Sequence, residues 1–568
     1  MPGKDEQERT IISHVTSRRP TLATEGALAA DPHEAMESHG PAWRHHQYGM
    51  DLDGYVGQFN EQVIGAYNAG REGVLPADAG VARSIIPPGT GVFRDFSHVA
   101  PELPLFNADN CVACMECVTT CPDTAILAKV CEAELVETKA DTFAQEETGQ
   151  AFRAHWATTT KFHGLFEKKG ETGGLFAIYV DPTKCKGCGE CVVVCGKHAA
   201  LEMAPKSEEL VYSYQDITQA MRELPETPQR YYARKLPVDL MLGEDRSLLY
   251  VGGAGSCAGC GEATAIRMML AQTGDTHEAG QIGIVAATGC NTVYGSTYPY
   301  NPYRVTWVNS LFENAPTVAM GIRLRWDQAG LHDNRLWVLG GDGAMYDIGF
   351  QALSRMLASG MDIKVLVLDT QVYSNTGGQA STSTPTSAAS KMAPHGKARP
   401  GKMERRKELS NIALMHPDVY VAQTSTAYIT HFYQAIREAN AYNGPAVVNV
   451  FTTCQPEHGV ADDVSQVQAR RAVVSRAFPL FIHDPTKGER LSERMSLRGN
   501  PALTEDWAPD PDAPKDDKTP FDFVAFARTE GRFAKQFNAQ GSPSEALLGA
   551  QEDRRKNWRL LKELAGVG

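Results

Sequence analysis

One cysteine spacing, met twice, constrains this chain more than any other feature. Cys111, Cys114, Cys117 and Cys121 stand at gaps of two, two and three residues, followed by Pro122; Cys185, Cys188, Cys191 and Cys195 repeat the gaps and are followed by Gly196. Eight of the 13 cysteines fall in these two runs, and cysteines so dense and regular read as thiolate ligation rather than disulfide pairing. Two-residue gaps let three thiolates converge on one Fe4S4 cube, while the helix that follows carries the fourth away to the other cube. The spacing therefore predicts one cluster on Cys111, Cys114, Cys117 and Cys195, and a second on Cys185, Cys188, Cys191 and Cys121. Zinc is the competing reading, because CxxC pairs bind it readily. Zinc sites take four ligands in two pairs, however, and do not need the whole run twice. Gly196 replaces the usual proline without altering the ligand set. Such a unit passes single electrons, so a redox site is expected at its inner end.

At 568 residues the chain has room for three or four domains of about 150 residues. A net charge of −13 excludes a typical nucleic-acid binder, which needs cations to displace phosphate counterions. With 42% apolar and 22% charged residues, a soluble globular protein is expected. No apolar run of membrane-spanning length occurs, and the first residues, MPGKDEQERTIISHV, lack a signal-peptide core; the cytoplasm is the expected compartment. Residues 1–100 read as an extended arm with one short helix near Gly57–Ala69, 101–205 as the two-cluster ferredoxin-like α+β domain, and 206–250 as a linker with a helical pattern near Ile217–Leu224. Residues 251–480 alternate strand and helix: Ile282–Ala287, Leu336–Leu339, Ile363–Leu368, Val419–Ala422 and Ala446–Phe451 are apolar runs separated by helical periods. That order predicts a doubly wound α/β domain. Residues 481–568 read as a tail with surface helices at Val524–Ala534 and Pro543–Leu564.

Within the α/β region, Gly341-Asp342-Gly343 lies between a strand and a helix, and the next strand ends at Asp369-Thr370-Gln371-Val372. Mg2+ takes oxygen ligands and commonly bridges protein to a diphosphate. Asp342, the Thr370 hydroxyl and the Val372 carbonyl would stand side by side at the carboxyl edge of the sheet, where such folds bind ligands. The pattern points to thiamine diphosphate. Cys257, Cys260, Cys290 and Cys454 could hold a third cluster there; spacing alone leaves equally open one CxxC and two unrelated core cysteines. Cys131 reads as a core residue. Histidines His33, His39, His45 and His46 read as solvated, the basic stretch Lys397, Arg399, Lys402, Arg405, Arg406 and Lys407 as a solvated loop or helix face and second as a contact for a partner chain or an acidic ferredoxin, and Gly252-Gly253-Ala254-Gly255 as flexible backbone leading to Cys257.

The segments FNADNCVACMECVTTCPDTAI, CAGCGE, ATGCNTVYGS, WVNSLFEN, GGDGAMYDIGFQAL and LDTQVYSNTGGQASTSTPT together resemble the C-terminal half of the pyruvate:ferredoxin oxidoreductase (2-oxoacid:ferredoxin oxidoreductase) family, over about residues 85–568, including RAFPLFIHDP. The resemblance implies that Cys257, Cys260, Cys290 and Cys454 ligate a proximal [4Fe-4S] cluster and that Asp342, Thr370 and Val372 ligate Mg2+. It places the cofactor on Glu262, Cys290, Gly341, Asp342, Gly343, Ala344, Thr370, Gln371, Val372, Tyr373, Ser374 and Asn375, with Asn375 facing the substrate as the candidate catalytic residue. The stretch from Thr297 to Trp307 is shorter than the family's usual loop.

The carboxylate that such enzymes set against the aminopyrimidine ring comes from a separate pyrimidine-binding domain, which this sequence does not contain. The chain is therefore expected to be one subunit, brown but inactive alone, in a dimer of heteromers with a partner that carries that domain. The expected activity is oxidative decarboxylation of a 2-oxoacid, pyruvate first, with coenzyme A as co-substrate. Electrons would pass through three [4Fe-4S] clusters to ferredoxin or flavodoxin. The alternatives are 2-oxoglutarate, a branched 2-oxoacid or indolepyruvate as substrate, a thiamine enzyme without redox output, and a non-catalytic electron-transfer subunit.

Overall fold

The carboxyl ends of four neighbouring parallel strands form the platform on which the predicted site stands. The computed structural model describes residues 52–75, 85–232, 237–393, 401–514 and 516–567, and the chain divides into two compact units, 1–75 and 76–568. In the first unit, Leu52–Gln58, Phe59–Ile64 and Gly65–Asn68 continue one another as a single helical stretch, which starts five residues before the expected helix. The four spaced histidines lie outside the described residues.

In the second unit, β1 (Glu102–Phe106) pairs antiparallel with β4 (Leu201–Pro205), and β2 (Ile126–Cys131) with β3 (Leu175–Val180). Each pair takes one strand from each cysteine run, as a duplicated ferredoxin-like unit requires. Helix Glu116–Thr120 carries Cys117 and ends at Cys121, while helix Glu190–Cys195 carries both Cys191 and Cys195. The loops before them turn through left-handed backbone at equivalent places: Ala113 (φ 58°) and Met115 (φ 71°) in the first copy, Gly187 (φ 71°) and Gly189 (φ 82°) in the second. The second copy uses glycine, which adopts that region without strain; the first carries side chains there. Cys131, in β2, is buried as a core residue.

An eight-stranded sheet follows. Its strands are β5 (Ile282–Ala287), β6 (Thr306–Ser310), β7 (Arg335–Gly341), β8 (Lys364–Asp369), β9 (Tyr420–Ser425), β10 (Ala446–Phe451), β11 (Phe481–His483) and β12 (Met495–Ser496). Their order is β12-β11-β9-β10-β8-β7-β5-β6. All neighbours are parallel except the β12/β11 and β11/β9 pairs. Every residue of β5, β8, β9 and β10 is buried. Alternate residues enter opposite cores: Ile284, Trp337, Leu366 and Val448 on one face, Val285, Val338, Val367 and Val447 on the other. This is a sheet covered on both faces.

Three expected boundaries differ. Residues 206–250 are no loose linker: Ser207 caps a helix over Glu208–Glu223, which buries Tyr214, Ile217, Ala220 and Met221 in the core shared by the ferredoxin-like strands and the sheet. The tail supplies β11 and β12, and its last helix (Glu545–Leu564) buries Leu547, Trp558 and Leu561. Residues after 85 are not a free arm either. Thr90 Oγ1 donates to Pro299 O at 2.9 Å, and Phe96 N donates to Thr183 O at 2.7 Å.

Candidate active site

The order β10-β8-β7-β5 lines up four strand ends: Cys454 after β10, Thr370 after β8, Asp342 after β7 and Cys290 after β5. Two acids lie at this edge, and their surroundings separate their roles. Asp369 is saturated. It accepts from Gln371 N (3.0 Å), Ser383 Oγ (2.6 Å), Tyr346 OH (2.7 Å) and Arg406 Nη2 (2.7 Å). Asp342 accepts from Thr370 Oγ1 at 3.2 Å, while its Oδ2 is buried with no partner. Burial, and then the charge of Asp369, hold the Asp342 carboxyl well above the usual carboxylate range. Thr370 Oγ1 also lies 3.0 Å from Val372 O. A carboxylate with one orphaned oxygen, a hydroxyl and a carbonyl thus converge, an all-oxygen donor set that fits Mg2+. From the opposite side, neutral His458 donates from Nε2 to Thr370 O at 2.7 Å, fixing that residue; sequence reasoning did not find His458.

These groups open into a cavity of about 290 Å³. Of the predicted positions, Glu262, Cys290, Gly341, Asp342, Gly343, Ala344, Thr370, Val372, Tyr373, Ser374 and Asn375 line it, joined by Thr288, Phe312, Ile348 and Thr376. Thr288 and Phe312 follow β5 and β6, so the strand-end rule could have found them; nothing in the sequence marks Ile348. Gln371 is a correction. At φ 60° its N–H turns to Asp369, its carbonyl accepts from Thr384 Oγ1 (2.6 Å) and its Oε1 accepts from Arg532 Nη2 (2.8 Å). It braces the loop from behind and is absent from the lining. Tyr373 OH donates to Asp347 at 2.6 Å. Glu262, beneath Tyr294 OH at 3.5 Å, is pushed up to about 8 by burial.

The cavity wall at Cys290 adjoins the third thiol set. Cys290 is raised first by burial, then by Glu262, Cys260, Cys454 and Cys257; Cys260 is raised by burial, Glu262, Cys454 and Cys257. Burial pushes Cys454 up to about 11, and Ser374 bonds its sulfur while its hydroxyl lies 2.6 Å from Thr370 Oγ1. The four cysteines that spacing alone left undecided are therefore gathered against the oxygen site. Gly252 and Gly253 lead into them at φ 79° and 75°. A Cβ on Gly253 would stand 2.1 Å from Gly91 O, so this glycine run is required by close packing.

The two cysteine runs form crossed quartets. Cys111, Cys114, Cys117 and Cys195 line one small cavity; Cys121, Cys185, Cys188 and Cys191 line another. Crowding agrees: after burial, Cys117 is raised by Cys114, Cys111 and Cys195. Among the described residues, no three His, Cys, Asp or Glu groups converge to hold a single ion. Gly196 adopts φ 50°, ψ −122°, which a proline ring locked near −65° cannot reach.

The basic stretch is corrected as well. Arg406 and Lys402 are buried. Arg406 clamps Asp369, Ser383 O and Ser383 Oγ, and Lys402 Nζ donates to Ser381 O, Thr382 O and Thr384 O. These cations staple the loop that follows the oxygen site; Lys397 and Arg399 lie outside the described residues.

Comparison with known proteins follows the same division. Residues 287–450 match the family model "Thiamine pyrophosphate enzyme, C-terminal TPP binding domain", and residues 178–200 match "4Fe-4S binding domain". The chain is 28% identical over 581 residues to the probable pyruvate-flavodoxin oxidoreductase of Escherichia coli (strain K12), covering 89% of this chain and 45% of that one. It is 27% identical to the pyruvate:ferredoxin oxidoreductase of Moorella thermoacetica (strain ATCC 39073 / JCM 9320), covering 75% and 40%. Among solved structures, a 2-oxoglutarate:ferredoxin oxidoreductase from Magnetococcus marinus aligns at 22% identity and a TM-score of 0.31, over 36% of this chain and 65% of that one. The chain thus spans less than half the length of these curated relatives. No helix among the described residues is long and apolar enough to cross a membrane.

Proposed function

The chain belongs to the pyruvate/2-oxoacid:ferredoxin (flavodoxin) oxidoreductase family, matching about the C-terminal half of its full-length members, and on that premise we propose that it is the thiamine-diphosphate and iron–sulfur part of such an enzyme. The observation that carries this reading is that one residue, Cys290, belongs both to the cavity of Asp342, Thr370 and Val372 and to the third thiol set. An oxygen site for a diphosphate cofactor and a thiolate site for a cluster share a wall.

Thiamine diphosphate, when bound, supplies an electron sink for the carbanion left when a 2-oxoacid loses CO2. Asp342, Thr370 and Val372 would hold Mg2+, whose charge would favour the diphosphate there. Gly343 leaves room for the Tyr373 ring, which a Cβ would approach to 2.8 Å, and so keeps that ring against Asp347. Asn375 lines the substrate end of the cavity. Phe312 and Ile348 give it an apolar lining. Cys257, Cys260, Cys290 and Cys454 would hold a cluster beside this cavity, a one-electron acceptor. Cys121, Cys185, Cys188 and Cys191 would hold another; Lys186, within that run, donates to Ala254 O and Ser256 O just ahead of Cys257. Cys111, Cys114, Cys117 and Cys195 would hold a third, next to Val112, which is 46% exposed and offers a surface for a ferredoxin or flavodoxin. A partner chain supplies the pyrimidine-side carboxylate and shares the coenzyme A and substrate sites. Pyruvate is the proposed substrate, after the relatives' names.

The test is anaerobic co-purification with that partner. Three four-iron clusters require about twelve irons per chain, together with bound thiamine diphosphate and pyruvate- and coenzyme-A-dependent reduction of a viologen dye. Asp342→Ala should remove Mg2+ and thiamine diphosphate and leave the iron unchanged. Iron far below that count, or iron lost with Asp342, overturns the assignment.

A further inference from the structure

The helix Gly261–Thr273, which begins just after Cys260, buries all thirteen of its residues, and one of them is an arginine. Arg267 is 1% exposed. Its Nη1 donates to the main-chain carbonyls Val118 O, Thr119 O (3.5 Å) and Cys121 O (3.1 Å). Its Nε and Nη2 have no partner, and among the described residues no carboxylate forms an ion pair with it. Two buried lysines of this region are neutralised, Lys186 by Asp123 at 2.6 Å and Lys129 by Glu244 at 3.0 Å. A guanidinium buried without a counter-charge is strongly unfavourable, so an anion must lie within its field. The groups whose charge it feels are Cys121 first, then Tyr433, Asp123 and Cys117; Asp123 is already paired with Lys186, and the two thiols come one from each crossed quartet.

We propose that Arg267 is the shared counter-cation of the two quartet clusters, a positioning residue whose fixed charge favours the reduced form of both. The proposal rests on the reading of those quartets as [4Fe-4S] sites. A cube with four thiolates is an anion and gains one further negative charge when it accepts one electron. Arg267 compensates that charge in place, so reduction needs no accompanying proton. Its carbonyl contacts fix the guanidinium against the turn from Val118 to Cys121, at the junction of the two quartets. The third thiol set is not among the largest charges it feels, so that site should respond less.

The experiment is a redox titration followed by electron paramagnetic resonance on the iron-loaded full chain with its partner. Arg267→Gln keeps a donor for the carbonyls and removes the charge. Both quartet clusters should become harder to reduce by at least tenfold in the reduction equilibrium, 59 mV for one electron, while the third cluster moves less. Arg267→Lys should stay within about threefold of the native chain by retaining the charge. Thr119→Asp reaches the same end by another route. Thr119 is fully buried beside Tyr433, and an acid there would oppose the charge of Arg267 without removing it, lowering the same two potentials. Unmoved potentials in loaded Arg267→Gln or Thr119→Asp overturn the proposal and leave the cluster assignment standing. A native chain that binds no iron overturns that assignment and the proposal with it.

Discussion

Replacing Arg406 by methionine tests the electrostatics of the site without any cofactor. The guanidinium and the Asp369 carboxylate are 2% and 0% exposed and meet at 2.7 Å. Methionine leaves Asp369 buried with its charge unanswered, and breaking such a pair from one side costs about 3–5 kcal/mol. The cost falls on the loop that Arg406 staples, where Gln371 N donates to Asp369 and Tyr373 N to Gln379 O. At 1.36 kcal/mol per tenfold, local opening should become roughly a hundred- to several-thousand-fold more frequent. Amide hydrogen exchange over residues 370–384, followed by mass spectrometry, reads that opening directly. Asp369→Asn combined with Arg406→Met removes both charges and should recover most of the protection, a coupling that neither single change predicts. Exchange within threefold of native in Arg406→Met would refute the argument, and would mean that Asp369 finds a proton or water at little cost.

Three further outcomes follow from local geometry. Gly196→Pro cannot adopt the φ of 50° found there, so Cys195 should lose its place and iron should fall from about twelve to about eight per chain, measured by iron analysis with electron paramagnetic resonance. Gly253→Ala forces a Cβ onto Gly91 O, displacing the approach to Cys257; the third cluster should be lost while both quartets keep theirs. His155, packed against Phe106 and Tyr214, is depressed to about 4 by burial. A depressed histidine contributes stability that is present above about 6.5 and lost as pH falls toward 4, here about 3 kcal/mol. His155→Phe should therefore flatten the acid limb of chemical denaturation between pH 6.5 and 4.

The parts of the fold that could be read from sequence are those where one pattern has one physical solution. Ile282–Ala287 and Ala446–Phe451 are continuous apolar runs of strand length, and the sheet contains both with those limits. The crossed quartets were legible for the same reason: a run of three short gaps admits few geometries. Legibility failed where tertiary contact overrides local composition. The helix Glu208–Glu223 opens with charged and polar residues on its exposed side, so only its second half showed a period. Phe481–His483 and Met495–Ser496 are too short to register as strands without the sheet beside them. Arg406 and Lys402 looked like surface because charge usually is; only the buried Asp369 and the bare loop carbonyls explain them. Gln371 was misplaced because a single left-handed residue reverses its side chain between two that face the cavity.

The crossed ligation proposed above would also set a timetable for manufacture. Each thiol quartet draws its members from both ends of a segment that runs from Cys111 to Cys195, so three sulfurs of the first run wait for a fourth more than seventy positions later. One cage is complete at Cys191 and the other at Cys195. As the chain leaves the ribosome, neither cage can close until almost all of this segment has emerged, and then both close within four residues. On that proposal, metal delivery to this protein is a late and nearly simultaneous event, and a chain interrupted anywhere before residue 191 holds neither finished cage.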